Sequence, residues 1–185
     1  MPGFRLLILE CPALAEGARP GQFVMARSGG GYDPYLRVAV PIHRFREGGI
    51  ALLFRPSLPG HARLGASRPG DTVDLLGPGG AGFALPAGPA EVAIIGQGTG
   101  VAPLIGILDR VSGPAQLILG AATASQAYPR ELVPVGVEFV PYIGVDTGEA
   151  FWHAVAEACR WAGHVYAAGP SPFYQQLQRV WQSTR

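Results

Sequence analysis

Three glycines follow a continuous apolar run in Ile94-Ile95-Gly96-Gln97-Gly98-Thr99-Gly100-Val101-Ala102-Pro103-Leu104. Glycines at the end of a buried strand let the chain turn tightly and let a pyrophosphate reach bare backbone. The helix that follows aims its free N–H groups and the positive end of its dipole at that anion. Pro103 suits a first helical turn, where a missing N–H costs nothing. The spacing is Gly-x-Gly-x-Gly and not the Gly-x-Gly-x-x-Gly of dinucleotide-binding loops, so two readings stand. Gly96, Gly98, Thr99 and Gly100 hold phosphates, or the glycines only permit close strand–helix packing. Two more loops have the same character. Gly77-Pro78-Gly79-Gly80-Ala81-Gly82-Phe83 lets backbone at Gly79 and Gly80 approach a flat or phosphorylated group, or forms a plain hairpin or interdomain loop. Ala168-Gly169-Pro170-Ser171-Pro172-Phe173 joins a strand end to a helix start, which puts Ala168, Gly169 and Pro170 on the carboxyl edge of a sheet, where open α/β folds bind ligands.

Other chemistries are excluded by composition. All 14 basic residues are Arg, so Schiff-base lysines and a P-loop lysine are ruled out. Cys11 and Cys159 are too few for a metal cluster or a disulfide framework, and no metal site is expected. No acid shares a recognisable motif with His or Ser, so no catalytic residue is assigned; His43 and His61 read as satisfied structural histidines. A net charge of +1 gives no support to nucleic-acid binding, although residues 1–70 carry nine Arg against four acids and the remainder five Arg against nine. No apolar run reaches membrane-spanning length, and the short N-terminal run is broken by Glu10 and Pro12; the expectation is a cytoplasmic protein with no membrane association.

The elements that must position these loops fall into two grammars. Gly (27) and Pro (18) make up about a quarter of the 185 residues, yet 48% are hydrophobic and 15% charged, so the chain folds and its Gly and Pro sit at defined turns. Up to about residue 83, short apolar runs (Phe4–Leu9, Gln22–Arg27, Leu36–Ile42, Ile50–Arg55, Thr72–Leu76) alternate with turn signals, the pattern of an antiparallel β-barrel of about six strands. After Pro89, strands Glu91–Ile95, Gln116–Leu119, Val137–Ile143 and His164–Ala168 alternate with helical stretches Val101–Val111, Glu149–Ala162 and Pro172–Gln182, which argues for a parallel sheet of βαβ units. The expected domains are residues 1–86 and 87–185, with Leu-Pro-Ala-Gly-Pro as the linker. Trp152, Trp161 and Trp181 are expected to pack against the sheet.

The order of these pieces resembles the ferredoxin–NADP reductase superfamily, and within it the family of dihydroorotate dehydrogenase electron-transfer subunits. Arg19-Pro20-Gly21-Gln22-Phe23-Val24-Met25, Asp33-Pro34-Tyr35-Leu36-Arg37, Pro41-Ile42-His43 and Arg68-Pro69-Gly70-Asp71 are each similar to that family's wording, and the likeness covers nearly the whole chain. The resemblance implies a flavin-binding barrel followed by an NAD(P)-binding α/β domain. It implies FAD between the two, NAD(P)H docked against the flavin, and a protein partner that accepts or donates electrons. Leu119–Ser125 holds neither the acid that often binds the ribose hydroxyls nor an Arg, and the absence of Arg argues against a 2′-phosphate clamp and favours NADH.

The same resemblance marks departures. The family's Leu-Arg-Arg-Pro-Ile-Ser-Ile flavin motif falls on Leu36, Arg37, Val38, Ala39, Val40, Pro41 and Ile42. Val38 then stands where an Arg pairs with the flavin pyrophosphate, and Pro41 where a Ser or Thr lies near the flavin N5. Arg37 is expected to point off the site, since neighbouring strand residues face opposite ways. The second phosphate contact falls on Gly60 and His61, with the backbone of Ala62 and Arg63 able to serve, and the nicotinamide-side Cys is Ala168. The sequence stops at Arg185, before the four-Cys [2Fe–2S] segment of the relatives, so electrons are expected to leave without a cluster in this chain. The reading is an FAD- and NAD(P)H-linked electron-transfer oxidoreductase subunit. The alternatives are a flavin-poor relative kept as a nucleotide-binding or regulatory subunit, and an NADH-binding module with neither flavin nor partner.

Overall fold

The computed structural model describes residues 3–28, 36–144 and 148–184. Asp33, Pro34 and Tyr35 of the family wording, and Arg185, lie outside them. The chain divides into two compact units, Gly3–Phe83 and Ala84–Arg185.

The first unit is an antiparallel sheet of five strands. They are β1 (Arg5–Glu10), β2 (Phe23–Ser28), β3 (Val38–Arg46), β4 (Gly49–Phe54) and β5 (Val73–Gly79), in the spatial order β1-β4-β3-β2-β5. Five strands are described where the sequence pattern predicts about six, and two intervening stretches fold as short helices, α1 (Pro12–Gly17) and α2 (Pro59–Gly65), each with Pro in its first turn. On one face of the sheet Val24, Ala26, Val40, Ile42, Ile50, Leu52 and Phe54 pack with Leu64 of α2 into a single core, while β4 is buried on both faces, with Ala51 and Leu53 on the other. Pro41 sits in an interior strand, which a missing N–H normally forbids. Here the ladder between β3 and β4 shifts register between Ile42 and Arg44, so regular pairing on that side already lapses next to it.

The second unit is a parallel sheet of β6 (Val92–Gln97), β7 (Ala115–Ala121), β8 (Glu138–Ile143) and β9 (His164–Ala168), in the order β8-β7-β6-β9. The helices are α3 (Val101–Leu108), α4 (Glu149–Trp161) and α5 (Ser171–Thr184). Burial on both faces explains the unbroken apolar sequence of β6, in which Val92 to Ile95 are each 0% exposed. Phe151, Val155, Ala158 and Cys159 of α4 and Phe173 of α5 close one face of the sheet, with Trp152 and Trp181 packed against them. Trp161 departs from expectation: it ends α4 on the helix's outer side and is 43% exposed. No helix among the described residues is long and apolar enough to cross a membrane.

Candidate functional site

In the second unit the chain steps from β6 to β7 to β8 in one direction and then returns to place β9 on the other side of β6. The reversal lies between β6 and β9, where Gly96 is the register partner of Ala168, so the two loops singled out from sequence start side by side. An open α/β sheet binds ligands at such a point. Gly98–Gly100 make one 3₁₀ turn and α3 begins at Val101.

The glycines of this loop do different jobs. A Cβ on Gly100 would run into the carbonyl of Ala168, and one on Gly96 would lie 2.8 Å from Leu119 Cδ2 and 3.1 Å from Leu104 Cδ1, so both are demanded by packing. Gly98 has φ +57° and open space where its Cβ would be. Of the three, Gly98 alone has open space beside its backbone, with Thr99 exposed next to it. Across from it, the N–H of Gly169 donates to Tyr174 Oη at 3.3 Å, and Pro170 carbonyl accepts from Phe173 N–H at 3.0 Å, which fixes the Ala168–Pro170 turn. A narrow cleft continues from Gly98 along Gly120, Ala121 and Gln126 at the end of β7. On the loop that follows β7, Thr123 and Ser125 are exposed and their hydroxyls are bonded at 3.0 Å. The nearest following Arg, Arg130, is turned away onto Val137 carbonyl at 3.1 Å.

The flavin motif is organised differently. Val38 and Val40 pack on the core of the first unit, Val40 at 0% exposure, and Val38 Cγ1 occupies the place a Cβ would take on Gly60. The space beside Gly79 is filled as well: the Phe23 ring lies 2.8 Å from the position of a Cβ there, with Phe23 register-paired to both Pro41 and Gly79. Gly80, with φ +85°, keeps ordinary contact distances, and its carbonyl accepts from Gln22 Nε2 at 2.7 Å while Gln22 Oε1 accepts from Arg19 N–H at 2.7 Å. At α2, Ala62 N–H is used by Leu58 carbonyl at 2.7 Å, and His61 Nε2 lies 3.3 Å from Ala39 carbonyl with its ring against Phe54. At two of the positions expected to grip the flavin phosphates, Val38 is a core side chain and the Ala62 N–H is taken by the helix's own hydrogen bond, so neither supplies the grip of an Arg at position 38.

Arg37 joins a different set. Its Nη2 meets Asp74 Oδ2 at 2.5 Å, and Arg27 Nη2 meets the same oxygen at 3.0 Å. Arg63, further along α2, lines a cavity with Arg27 and Asp74. Sequence reasoning passed over Arg27, Asp74, Gln22 and Tyr174, since their roles depend on strand register and on which loops meet. Gln22 alone had a signal, as part of a turn phrase.

The remaining candidates are structural. His43 is 1% exposed on the bulged part of β3. Cys159 is buried in the α4 core, and burial raises the Cys11 thiol above its ordinary range, with a hydrogen bond from the Ile50 backbone opposing. Among the described residues no cluster of His, Cys, Asp and Glu could hold a metal.

The chain is 32% identical over 184 residues to the dihydroorotate dehydrogenase B (NAD(+)) electron transfer subunit of Geobacillus thermodenitrificans, covering 92% of this chain and 70% of that protein. It is 38% identical over 113 residues to the subunit of the same name from Desulforamulus reducens, covering 60% of this chain but 43% of that one. Among solved structures it is similar to an NADH-dependent reduced ferredoxin–NADP oxidoreductase, with a TM-score of 0.77 and 21% identity over 96% of this chain and 68% of that one, a likeness of fold. No family model matches.

Proposed function

The chain belongs to the family of dihydroorotate dehydrogenase B electron transfer subunits, and from that premise we propose that it is an NAD(P)H- and FAD-linked oxidoreductase subunit that exchanges electrons with a protein partner. The partner carries the dihydroorotate chemistry. The observation that supports the nicotinamide half is the open backbone at Gly98, set where the strand order reverses and next to the braced Ala168–Pro170 turn. A dinucleotide's pyrophosphate lies over Gly98 and Thr99 at the start of α3, where free N–H groups and the helix dipole favour an anion. The adenosine ribose runs toward Thr123 and Ser125. Hydroxyls there pair with a ribose 2′-OH, whereas a 2′-phosphate would meet no Arg, since Arg130 is engaged elsewhere. NADH is therefore the preferred nicotinamide.

A flavin supplies the change from two-electron to one-electron transfer when bound. In this chain the residues at the family's phosphate-gripping positions do not supply that grip, which favours a second reading: a relative that keeps nucleotide binding and has weakened or lost the flavin. Calorimetric titration of the purified chain with NADH, NADPH and FAD separates the two. Saturable binding of both FAD and NADH, with NADH tighter than NADPH, supports the first; NADH binding without FAD binding supports the second. Failure to bind either nicotinamide removes both.

A further inference from the structure

A cavity of about 680 Å³ opens on the first unit between the C-terminal half of α2 and the ends of β2 and β5. Its walls carry Arg27, Ser28, Arg63, Ser67, Thr72 and Asp74. Arg27 is the register partner of Asp74 across β2 and β5, and Arg37 reaches the same carboxylate from the β3 side. One carboxylate oxygen thus serves two guanidinium groups, and one positive charge of that row is uncompensated. The Nε atoms of Arg27 and Arg37 are buried and hydrogen-bonded to nothing. Such orphaned donors are uncommon in folded proteins, and that of Arg27 belongs to a residue of the cavity wall. The other acid at the rim, Asp71, is turned back onto the Arg68 N–H at 2.8 Å. Ser28 and Ser67 hydroxyls are hydrogen-bonded to each other at 2.9 Å, which leaves one further O–H to donate.

We propose that this cavity is a phosphate-ester site, with Arg27 and Arg63 as the principal ligands and Arg37 reinforcing the charge from behind. The two guanidiniums of the wall, Arg27 and Arg63, complement a phosphate, whose oxygens accept several charge-assisted hydrogen bonds at once. The volume lies in the range of small-molecule pockets and exceeds what a bare ion needs. The site does not depend on the flavin reading, because it rests on the cavity's own charge and donors. Two sources share the chemistry: the phosphates of a flavin nucleotide, gripped here and not at position 38, and those of a separate nucleotide.

The test is calorimetric titration of the full chain with inorganic pyrophosphate at low salt, in the wild type, Arg63→Gln and Asp74→Asn. Arg63 makes no ion pair among the described residues and lies exposed on α2, so its replacement leaves the melting temperature unchanged. It is expected to weaken pyrophosphate about ten-fold, the scale of one charge-assisted hydrogen bond. Asp74→Asn is expected to tighten pyrophosphate several-fold, because it releases both guanidiniums; a carboxylate that only held the sheet together would give weaker binding. FAD and riboflavin distinguish the sources. If Arg63→Gln weakens FAD but not riboflavin, the phosphates are the flavin's; if it weakens pyrophosphate and leaves FAD unchanged, they belong to a second nucleotide. No binding of pyrophosphate or FAD, or affinities for both that are equal in wild type and Arg63→Gln, overturns the site. Arg63→Gln decides this alone if Asp74→Asn fails to fold.

Discussion

Gly100 and Ala168 are packed so closely that the Ala168 carbonyl lies where a Cβ on Gly100 would be, which locks the start of α3 against the end of β9. Gly100→Ala must push two backbone segments apart, and it is expected to destabilise the fold by roughly 3 kcal/mol, at the upper end of overpacking costs. Gly98→Ala meets open space and is charged only for its left-handed backbone, about 1–2 kcal/mol. Both variants are expected to weaken NADH. Urea unfolding checks the order of the stabilities, and an NADH titration of Gly98→Ala checks that a folded variant still loses affinity.

Val38 and Gly60 form a second tight pair, with Val38 Cγ1 in the space above the glycine. Gly60→Ala alone is expected to cost about 1–3 kcal/mol by overpacking, and Val38→Ala about 1–2 kcal/mol by loss of a half-buried side chain. The double variant is expected to be more stable than the sum of the two implies, because trimming the valine vacates the space that a methyl group at position 60 needs. A double-mutant cycle on unfolding free energies measures the coupling; strict additivity would mean that the two side chains do not compete.

Tyr166 anchors the start of its unit by donating its hydroxyl to the Ala84 carbonyl at 2.7 Å. Tyr166→Phe is expected to cost about 1 kcal/mol. Burial also raises the Tyr166 pKa above its ordinary value. The folded state then holds that proton more tightly than the unfolded chain, so the contribution is complete below about pH 10 and declines as pH rises through the folded pKa. Stability of the wild type is expected to fall more steeply than that of Tyr166→Phe at alkaline pH, as measured by chemical denaturation across pH.

Gln22 ties two loops with one side chain, accepting from Arg19 N–H and donating to Gly80 carbonyl. Gln22→Glu keeps the acceptor and removes the donor, so it is expected to loosen residues 79–82 while leaving the 19–22 turn intact. Gln22→Leu loosens both, at about 1 kcal/mol given the exposure of the bonds. Hydrogen exchange at Phe83, whose N–H donates to Pro20 carbonyl at 2.8 Å, reads the difference.

The parallel sheet was legible because its strands are continuous apolar runs and its helices have helical spacing; His164–Ala168 agrees with the structure residue for residue. The short helices of the first unit were not, because six or seven residues leave too little periodicity to read. At the candidate site, sequence located the glycine loops but could not divide their work. Gly96 and Gly100 answer to packing and Gly98 to open space, a distinction made by neighbours far away in sequence such as Leu119 and Ala168. The Arg27–Asp74–Arg37 row was invisible for the same reason: it exists only once β2 is known to lie between β3 and β5.

The central claim is that this chain joins a nicotinamide to a flavin, and the most direct measurement is the visible spectrum of the FAD-incubated, gel-filtered protein under anaerobic conditions before and after NADH is added. The expected result is a flavin band that co-elutes with the protein and bleaches on stoichiometric NADH. A protein that elutes colourless, or a retained flavin band that NADH leaves unchanged, would contradict it.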